Sequence, residues 1–128
     1  IVGDGMSKAD IEKYADEKGV REYFDFLGSK PVTDMPIYHT LADALLAPLA
    51  KSDDIGLTIP RKVTSYMAGG KPVLTCMDGE GSLVIQKAKA GLTAAAGDSR
   101  TLYENIKKLK EFYEKKEGEK ECNPQEKI

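Results

Sequence analysis

The chain is poor in the residues that build metal sites and disulfides: its 128 residues include two cysteines, one histidine and no tryptophan. Cys76 lies in an apolar run and Cys122 in a polar segment near the end, so we expect two free thiols in a reducing compartment. His39 has no cysteine cluster or second histidine with which to form a metal-site spacing, and no Ser-His-Asp grouping is evident. The sequence therefore predicts no metal ion, no other bound cofactor, and a surface or half-buried His39.

A strong excess of charge of one sign is absent as well. The 19 basic and 21 acidic side chains give a net charge of −2, which is not the footprint of a nucleic-acid-binding protein. No apolar run approaches the roughly 20 residues needed to cross a membrane. From Lys115 onwards the balance of lysine and glutamate argues against a polybasic membrane anchor. We expect one domain with a moderate core over residues 1–114 and a polar tail over residues 115–128.

Short apolar runs alternate with helical patterns along the chain. The helical patterns cover residues 82–89 and also follow Ser7, Thr33, Pro60 and Asp98. The extended runs between them lie at residues 1–2, 23–27, 44–47, 73–77 and 92–94. Strands that alternate with helices in this way form a mostly parallel sheet. The expected fold class is therefore α/β, with a Rossmann-like, doubly wound parallel sheet.

Local signals give the first helices their expected ends and faces. Ser7 begins a motif that resembles a capping box, although its acidic member is aspartate rather than the usual glutamate or glutamine. Ile11, Tyr14 and Ala15 give that helix an apolar face.

In the next helix, Ile37 and Leu41 are expected to point inward, with Tyr38 as a third candidate.

The most informative stretch is residues 56–81, which reads as loop, short helix, buried strand and glycine-rich loop. Thr58 is a candidate N-cap, and Pro60 suits the first turn of a helix. Residues 73–77 form an apolar run that is typical of a parallel strand covered on both faces. Residues 78–81, Asp-Gly-Glu-Gly, follow that strand at the edge where open α/β sheets bind ligands.

This stretch resembles the donor-binding half of a family-four GT-B glycosyltransferase. The resemblance spans roughly residues 1–113 and keeps the family's motif order. Its strongest motifs are Pro60-Arg61-Lys62, Ser65-Tyr66-Met67-Ala68, Gly70-Lys71-Pro72 and Gly79-Glu80-Gly81. Within the family, the chain is most similar to a bacterial branch that mostly builds surface polysaccharides from nucleotide sugars.

The resemblance implies what the parent protein does. It would transfer a hexosyl group from a nucleotide diphosphate sugar to a hydroxyl acceptor, with retention of configuration and without a metal. The family's C-terminal half has a strand and a helix before the equivalent of Ile1, and an acceptor-binding N-terminal domain before those. We therefore expect this chain to be a partial domain that is inactive alone. A cytoplasmic enzyme is implied, and a lipid-linked acceptor at the inner membrane face would make it peripheral to that membrane.

The same resemblance assigns the nucleotide-sugar site. The donor diphosphate would bind at residues 58–62, where a helix N-terminus offers free N–H groups and partial positive charge. The nucleobase would bind backbone groups of the loop from residue 28, and sugar hydroxyls would bind residues 79–81. The alternative at residues 58–62 is a solvated helix start with two surface cations, and the alternative for Glu80 is a helix N-terminal acid that only interacts favourably with the dipole. The candidate residues are Gly28, Ser29, Lys30, Thr58, Ile59, Pro60, Arg61, Lys62, Ser65, Gly79, Glu80 and Gly81.

Two positions depart from the family pattern. Most members have two glutamates eight positions apart, one for the sugar and one for the ribose, and this chain has Leu57 and Ser65 there. Ser65 would make a weaker hydrogen bond to the ribose or simply face solvent, and the sequence does not decide between them. Asp53 and Asp54 are candidates to replace the first glutamate, although a polar loop of this kind is more often a turn.

Other functions fit the sequence less well. Residues 3–5, Gly-Asp-Gly, resemble the start of a dinucleotide fingerprint, but Lys8 stands where the third glycine would fall. A nucleotide-sugar 2-epimerase shares the GT-B architecture but matches the ordered motifs less closely. A flavodoxin-like regulatory domain needs an acidic residue at the end of a strand, whereas Asp43 precedes its strand.

Overall fold

The computed structural model of the chain describes residues 1–51 and 59–121, with side chains described as far as residue 117. Its contacts divide the chain into two units, Ile1–Tyr38 and His39–Ile128. In the described ranges, no helix has both the length and the apolarity that crossing a membrane requires.

The first unit contains helix α1, Lys8–Glu17, and two 3-10 turns at Arg21–Tyr23 and Val32–Asp34. Ser7 precedes α1 with a ψ of 3°, outside the extended conformation of a capping residue, and its side chain makes no capping hydrogen bond. The predicted capping box is therefore wrong.

A short parallel pairing joins the start of the chain to the segment after the first 3-10 turn. The N–H of Leu27 donates to Ile1 O at 2.9 Å, and the N–H of Gly3 donates to Gly28 O at 2.8 Å. The predicted strand at residues 23–27 is thus only partly right. Tyr23 belongs to the 3-10 turn, because its N–H donates to Val20 O rather than to a neighbouring strand.

The apolar faces predicted for the first helices are only partly right. In α1 Ala15 is buried as predicted, whereas Ile11 and Tyr14 are exposed. In the next helix Tyr38 is half-buried, but Ile37 and Leu41, which were expected to point inward, are 61% and 77% exposed. Helical periodicity identifies which residues share a face, but burial also requires an opposing element, which the sequence does not specify.

The second unit is a parallel sheet in the order β1-β2-β3, preceded by helix α2, which begins in the first unit. The register places Leu45 beside Val73, and Val73 beside Gly91. This arrangement confirms the predicted Rossmann-like α/β fold. The elements are α2 Met35–Leu41, β1 Leu45–Pro48, α3 Arg61–Ala68, β2 Val73–Cys76, α4 Glu80–Lys87, β3 Gly91–Ala94 and α5 Ser99–Glu121.

Strand β2 is buried along its whole length. Its residue Val73 belongs to a core cluster with Val63 of α3 and Ile85 of α4, all fully buried. Side chains alternate across a strand, so Leu74 faces the other way, where α5 packs against β2 and β3. The prediction of a strand covered on both faces is therefore confirmed.

Two further contacts stabilise the packing of this unit. A Cβ on Gly91 would lie 1.8 Å from Val73 O, so only glycine lets β3 approach β2 this closely. Near the far end of the described part of α5, the Tyr113 hydroxyl donates to Asp43 O at 3.0 Å, across 70 positions of sequence. Helix α5 itself continues to Glu121, so the first part of the segment expected as a tail is helical.

The turn that follows helix α4 contains a residue with an unusual backbone conformation. The N–H groups of Lys89 and Ala90 donate back to Gln86 O and Ile85 O, at 3.1 and 3.0 Å. This is the hydrogen-bond pattern of a Schellman motif, whose left-handed position is usually glycine. Lys89 occupies that position with a φ of 51°, the one non-glycine residue at positive φ in the described part of the chain.

Replacing Lys89 with glycine should therefore stabilise the protein. A side chain in the left-handed conformation costs about 1–2 kcal/mol, of which the greater freedom of unfolded glycine offsets a part. We expect urea denaturation of Lys89→Gly to give a free energy of unfolding about 1 kcal/mol higher. Lys87→Gly, inside the last turn of α4, should lower it by about 1 kcal/mol. A less stable Lys89→Gly would contradict this account.

Asp98 caps helix α5, and its titration should be visible in acid. Its Oδ2 accepts from Thr101 Oγ1 at 2.6 Å and its Oδ1 accepts from Thr101 N at 3.0 Å. These hydrogen bonds hold the pKa of the Asp98 carboxyl below its ordinary value. A lowered pKa in the folded state gives stability that is present above the unfolded pKa and is lost as pH falls through the folded one.

We expect Asp98→Asn to flatten the dependence of thermal stability on pH between about pH 5 and 3, which brackets the unfolded aspartate pKa. Asparagine keeps an acceptor oxygen for the cap but does not titrate there. The measurement is the melting temperature of both proteins across that range. Parallel curves for the two proteins would show that this carboxyl does not contribute to acid unfolding.

Candidate functional site

Helices α3 and α4 begin side by side at one edge of the sheet. Each follows a strand, β1 or β2, so both begin at the carboxyl edge, where open α/β sheets bind ligands. A Cβ on Gly81, in the first turn of α4, would lie 3.1 Å from Pro60 Cδ at the start of α3. The structure thus brings together two of the three predicted segments, residues 59–62 and 79–81.

The start of α3 has the chemistry of an anion site. Pro60 precedes the helix and offers no side-chain cap, and within the described residues no side chain accepts from the first N–H groups. Arg61 and Lys62 occupy the first turn and are exposed, as is Ile59 before them. Two cations beside the positive end of a helix dipole favour a negatively charged ligand. Thr58, predicted as the cap, lies outside the described residues.

The loop between β2 and α4 has a backbone shape that depends on glycine. Gly79 has φ 81° and ψ −155°, a conformation that is essentially restricted to glycine. It lets the chain turn sharply from the strand into α4, and Glu80 then stands exposed in the first turn. An exposed carboxylate here can accept hydrogen bonds from ligand hydroxyls and also interacts favourably with the dipole of α4.

Buried polar contacts hold this loop in place. Ser82 Oγ donates to Met77 O at 2.6 Å and lies 3.4 Å from Thr75 Oγ1, with both side chains buried. Asp78 Oδ1 accepts from Ala96 N at 3.1 Å, which joins the loop after β2 to the loop after β3. Sequence analysis singled out neither Ser82 nor the Asp78 side chain as a support. The sequence signal for this supporting role was that Asp78 and Ser82 directly flank residues 79–81.

The remaining predicted residues have less structural support. Ser65 is exposed one turn after Arg61, on the same side of α3, and this position fits either of its two interpretations. In the first unit, Gly28 has a φ of 69°, and Ser29 and Lys30 after it are exposed. Their assignment to the nucleobase stays a prediction. Of the acidic-site positions, Asp53, Asp54 and Leu57 lie outside the described residues.

His39 packs near the other end of α3. Its ring meets the Tyr66 ring edge-on with centroids 5.3 Å apart, and burial raises the pKa of the Tyr66 hydroxyl. His39 is half-buried, as one of its two predicted placements has it. Among the residues that the structure describes, no three His, Cys, Asp or Glu side chains are grouped to hold a metal ion.

Gly81→Ala should disturb the junction between the two helix starts. The new methyl group would lie 2.7 Å from Met77 Sδ and 3.1 Å from Pro60 Cδ. The methionine can move but the proline ring cannot, so we expect a loss of about 1–3 kcal/mol in the free energy of unfolding. Gly5→Ala is the control, because its added Cβ meets nothing within 4 Å and its φ is ordinary. Equal stability of the two variants would mean that the helix starts are not in contact.

Comparisons with known proteins agree on the family. Residues 1–111 match the sequence profile described as Glycosyl transferases group 1. The chain is 29% identical over 109 residues to a 2-deoxystreptamine glucosyltransferase of Streptomyces kanamyceticus, covering 85% of this chain and 27% of that protein. It therefore spans about a quarter of that relative's length. No solved structure matches it significantly. Since the family profile covers most of the sequence, the chain belongs to the glycosyl transferases of group 1.

Proposed function

We propose that this chain is the donor-binding part of a family-four GT-B enzyme that transfers a hexosyl group, with retention, from a nucleotide diphosphate sugar to a hydroxyl. The observation that carries the proposal is the shared corner of α3 and α4, where Pro60 and Gly81 lie in contact range. Two helix starts and two exposed cations at the carboxyl edge of a parallel sheet suit a diphosphate better than a neutral ligand. The relative's name, a glucosyltransferase, supports a hexosyl donor.

Each segment has a role in this proposal. Breaking the bond from sugar to phosphate places additional negative charge on the leaving diphosphate, and Arg61, Lys62 and the N–H groups of α3 stabilise that charge. Glu80 accepts from sugar hydroxyls, and the glycines beside it allow close approach. Backbone groups at Gly28 and its neighbours bind the base. The cations take the place of a metal ion in neutralising the diphosphate.

The acceptor belongs to the part of the enzyme outside this chain. We propose a cytoplasmic protein of surface-polysaccharide synthesis, with an acceptor-binding domain preceding this one and a lipid-linked acceptor that brings it to the inner membrane face. The motif order Pro-Arg-Lys, Ser-Tyr-Met-Ala and Gly-Lys-Pro over residues 60–72 supports that assignment.

Calorimetric titration of the full-length enzyme with UDP, GDP and ADP tests the proposal. Selective binding of one diphosphate supports a nucleotide-sugar site and identifies the base. Product analysis with the matching nucleotide sugars then separates transfer to an acceptor from epimerisation of the donor. A folded enzyme that binds none of the three would contradict the proposal and identify Leu57 and Ser65 as marks of a degenerate site.

Lys62→Ala in that enzyme should weaken binding of the preferred diphosphate about tenfold, the effect of losing one charge-assisted contact of roughly 1.4 kcal/mol. Turnover should fall as well, because the charge to be stabilised grows as the diphosphate leaves. The matched control is Lys87→Ala, an exposed lysine in the last turn of α4. Unchanged affinity and rate in Lys62→Ala would remove this residue from the site.

A further inference from the structure

A second concave region lies at the opposite edge of the sheet, where β2 and β3 begin. It is an open groove of about 690 Å³ between the turns that follow α3 and α4 and the middle of α5. Met67, Leu109 and Phe112 give it an apolar lining, and Lys71, Lys89 and Lys108 also line it. We call this region the amino-edge groove. It shares no residue with the segments assigned to the donor.

The charges of the amino-edge groove are of one sign. Its three lysines come from three separate segments of the chain, and the described residues that line it include no acidic side chain. None of these lysines belongs to an ion pair in the part of the chain that the structure describes, whereas Lys110 on α5 pairs with Glu114. In a chain of net charge −2, three uncompensated ammonium groups around an apolar surface favour an anionic ligand.

The backbone conformation of Lys89 also supports a ligand site at this groove. This residue occupies a left-handed position, with a φ of 51°, at which glycine would be less strained. The corresponding turns after α1 and α3 do use glycine, Gly19 and Gly70. Lysine therefore stands at the edge of the groove despite a cost to folding. Strain of this kind is found where a residue serves a site.

We propose that the amino-edge groove binds a single-chain amphiphilic anion, a molecule with one alkyl chain and one phosphate or carboxylate group. The alkyl chain lies along Met67, Leu109 and Phe112, of which Phe112 is 53% exposed and gains apolar contact when covered. The anionic group lies among the lysine ammonium groups. Pairing apolar contact with a few charged groups is typical of sites for small ligands.

The size and shape of the groove favour this ligand over larger ones. Its volume of about 690 Å³ lies within the range of small-molecule sites, about 300–1,000 Å³. A stable protein partner would need a contact surface of about 800 Å² on this chain. A bilayer is contacted by protruding side chains rather than by a recess. Because the groove and the donor site lie at opposite edges of the sheet, the amphiphile does not compete with the nucleotide.

Calorimetry with dodecyl phosphate, kept below its micelle-forming concentration, tests this proposal on the protein. We expect dodecyl phosphate to bind at least tenfold more tightly than inorganic phosphate, which lacks the chain, or dodecyl maltoside, which lacks the charge. Saturation with the preferred nucleoside diphosphate should leave this affinity unchanged, so the result does not depend on the proposed donor site. Equal binding of all three probes, or competition by the nucleotide, would overturn the proposal.

Charge removal should act at the groove lysines alone. Lys89→Gln with Lys108→Gln should weaken binding of dodecyl phosphate about tenfold, or about threefold for each exposed charge. The matched control is Lys87→Gln with Lys115→Gln, two exposed lysines outside the groove. Lys89→Gly provides a second variant, in which binding should weaken while the fold becomes more stable, so unfolding cannot explain the loss. Equal affinity in the groove and control variants would overturn the proposal.

Two further measurements identify other occupants. Binding to phosphatidylglycerol vesicles without binding to dodecyl phosphate monomers would make the groove part of a membrane surface. A dimer in sedimentation equilibrium that the Lys89→Gln and Lys108→Gln double variant abolishes would make a second copy of the chain the occupant. Either result would overturn the proposal, and a monomer that binds dodecyl phosphate and ignores vesicles would support it.

Discussion

The burial of strand β2 on both faces is the constraint on which the rest of the second unit depends. Val73 packs against α3 and α4 through Val63 and Ile85, while Leu74 faces the side that α5 covers. A strand buried in this way pairs on both sides, and Gly91 allows β3 to approach it closely. Helices α3, α4 and α5 are then held against one central strand, rather than by their own weak helical propensity.

This arrangement gives the two edges of the sheet different chemistry. Parallel strands place all their carboxyl ends together, so the starts of α3 and α4 meet there with their positive dipole ends exposed. The ends of the same helices, and the turns that return the chain to the sheet, must lie at the amino edge. There the turns carry lysines beside apolar side chains. The same topology therefore places two helix starts with exposed cations at one edge and lysines beside apolar side chains at the other.

The second unit could be predicted from sequence because its signals are local and agree with one another. The apolar run at residues 73–77, the glycines that end α3 and the aspartate before α5 each specify an element without knowledge of its neighbours. The same local signals did not predict correctly which residues of the first unit are buried. The periodicity that placed Ile11 and Ile37 inward was real, but among the described residues no element packs there closely enough to bury them.

The candidate site was predictable in part for a related reason. Motif order indicated the start of α3 and the turn into α4, and sheet topology places both at the carboxyl edge. The contact of Pro60 with Gly81 joins two separate helices, and the hydrogen bond from Ser82 to Met77 depends on how the turn between them folds. Motif spacing predicts neither of them. The amino-edge groove could not be predicted, because its lysines are separated in sequence. The left-handed backbone of Lys89 is known only from the structure.

The hydrogen bond from Tyr113 to Asp43 has a consequence for how the protein is made. It joins Asp43, which precedes β1, to a residue 70 positions later. All three strands of the sheet therefore lie between the two bonded residues in the sequence. Contacts of such separation form late, because the intervening chain must first be ordered. On the ribosome, β2 and β3 will emerge before α5, the helix that covers their second face. Until residue 113 has left the exit tunnel, one side of the nascent sheet remains open to water and to chaperones.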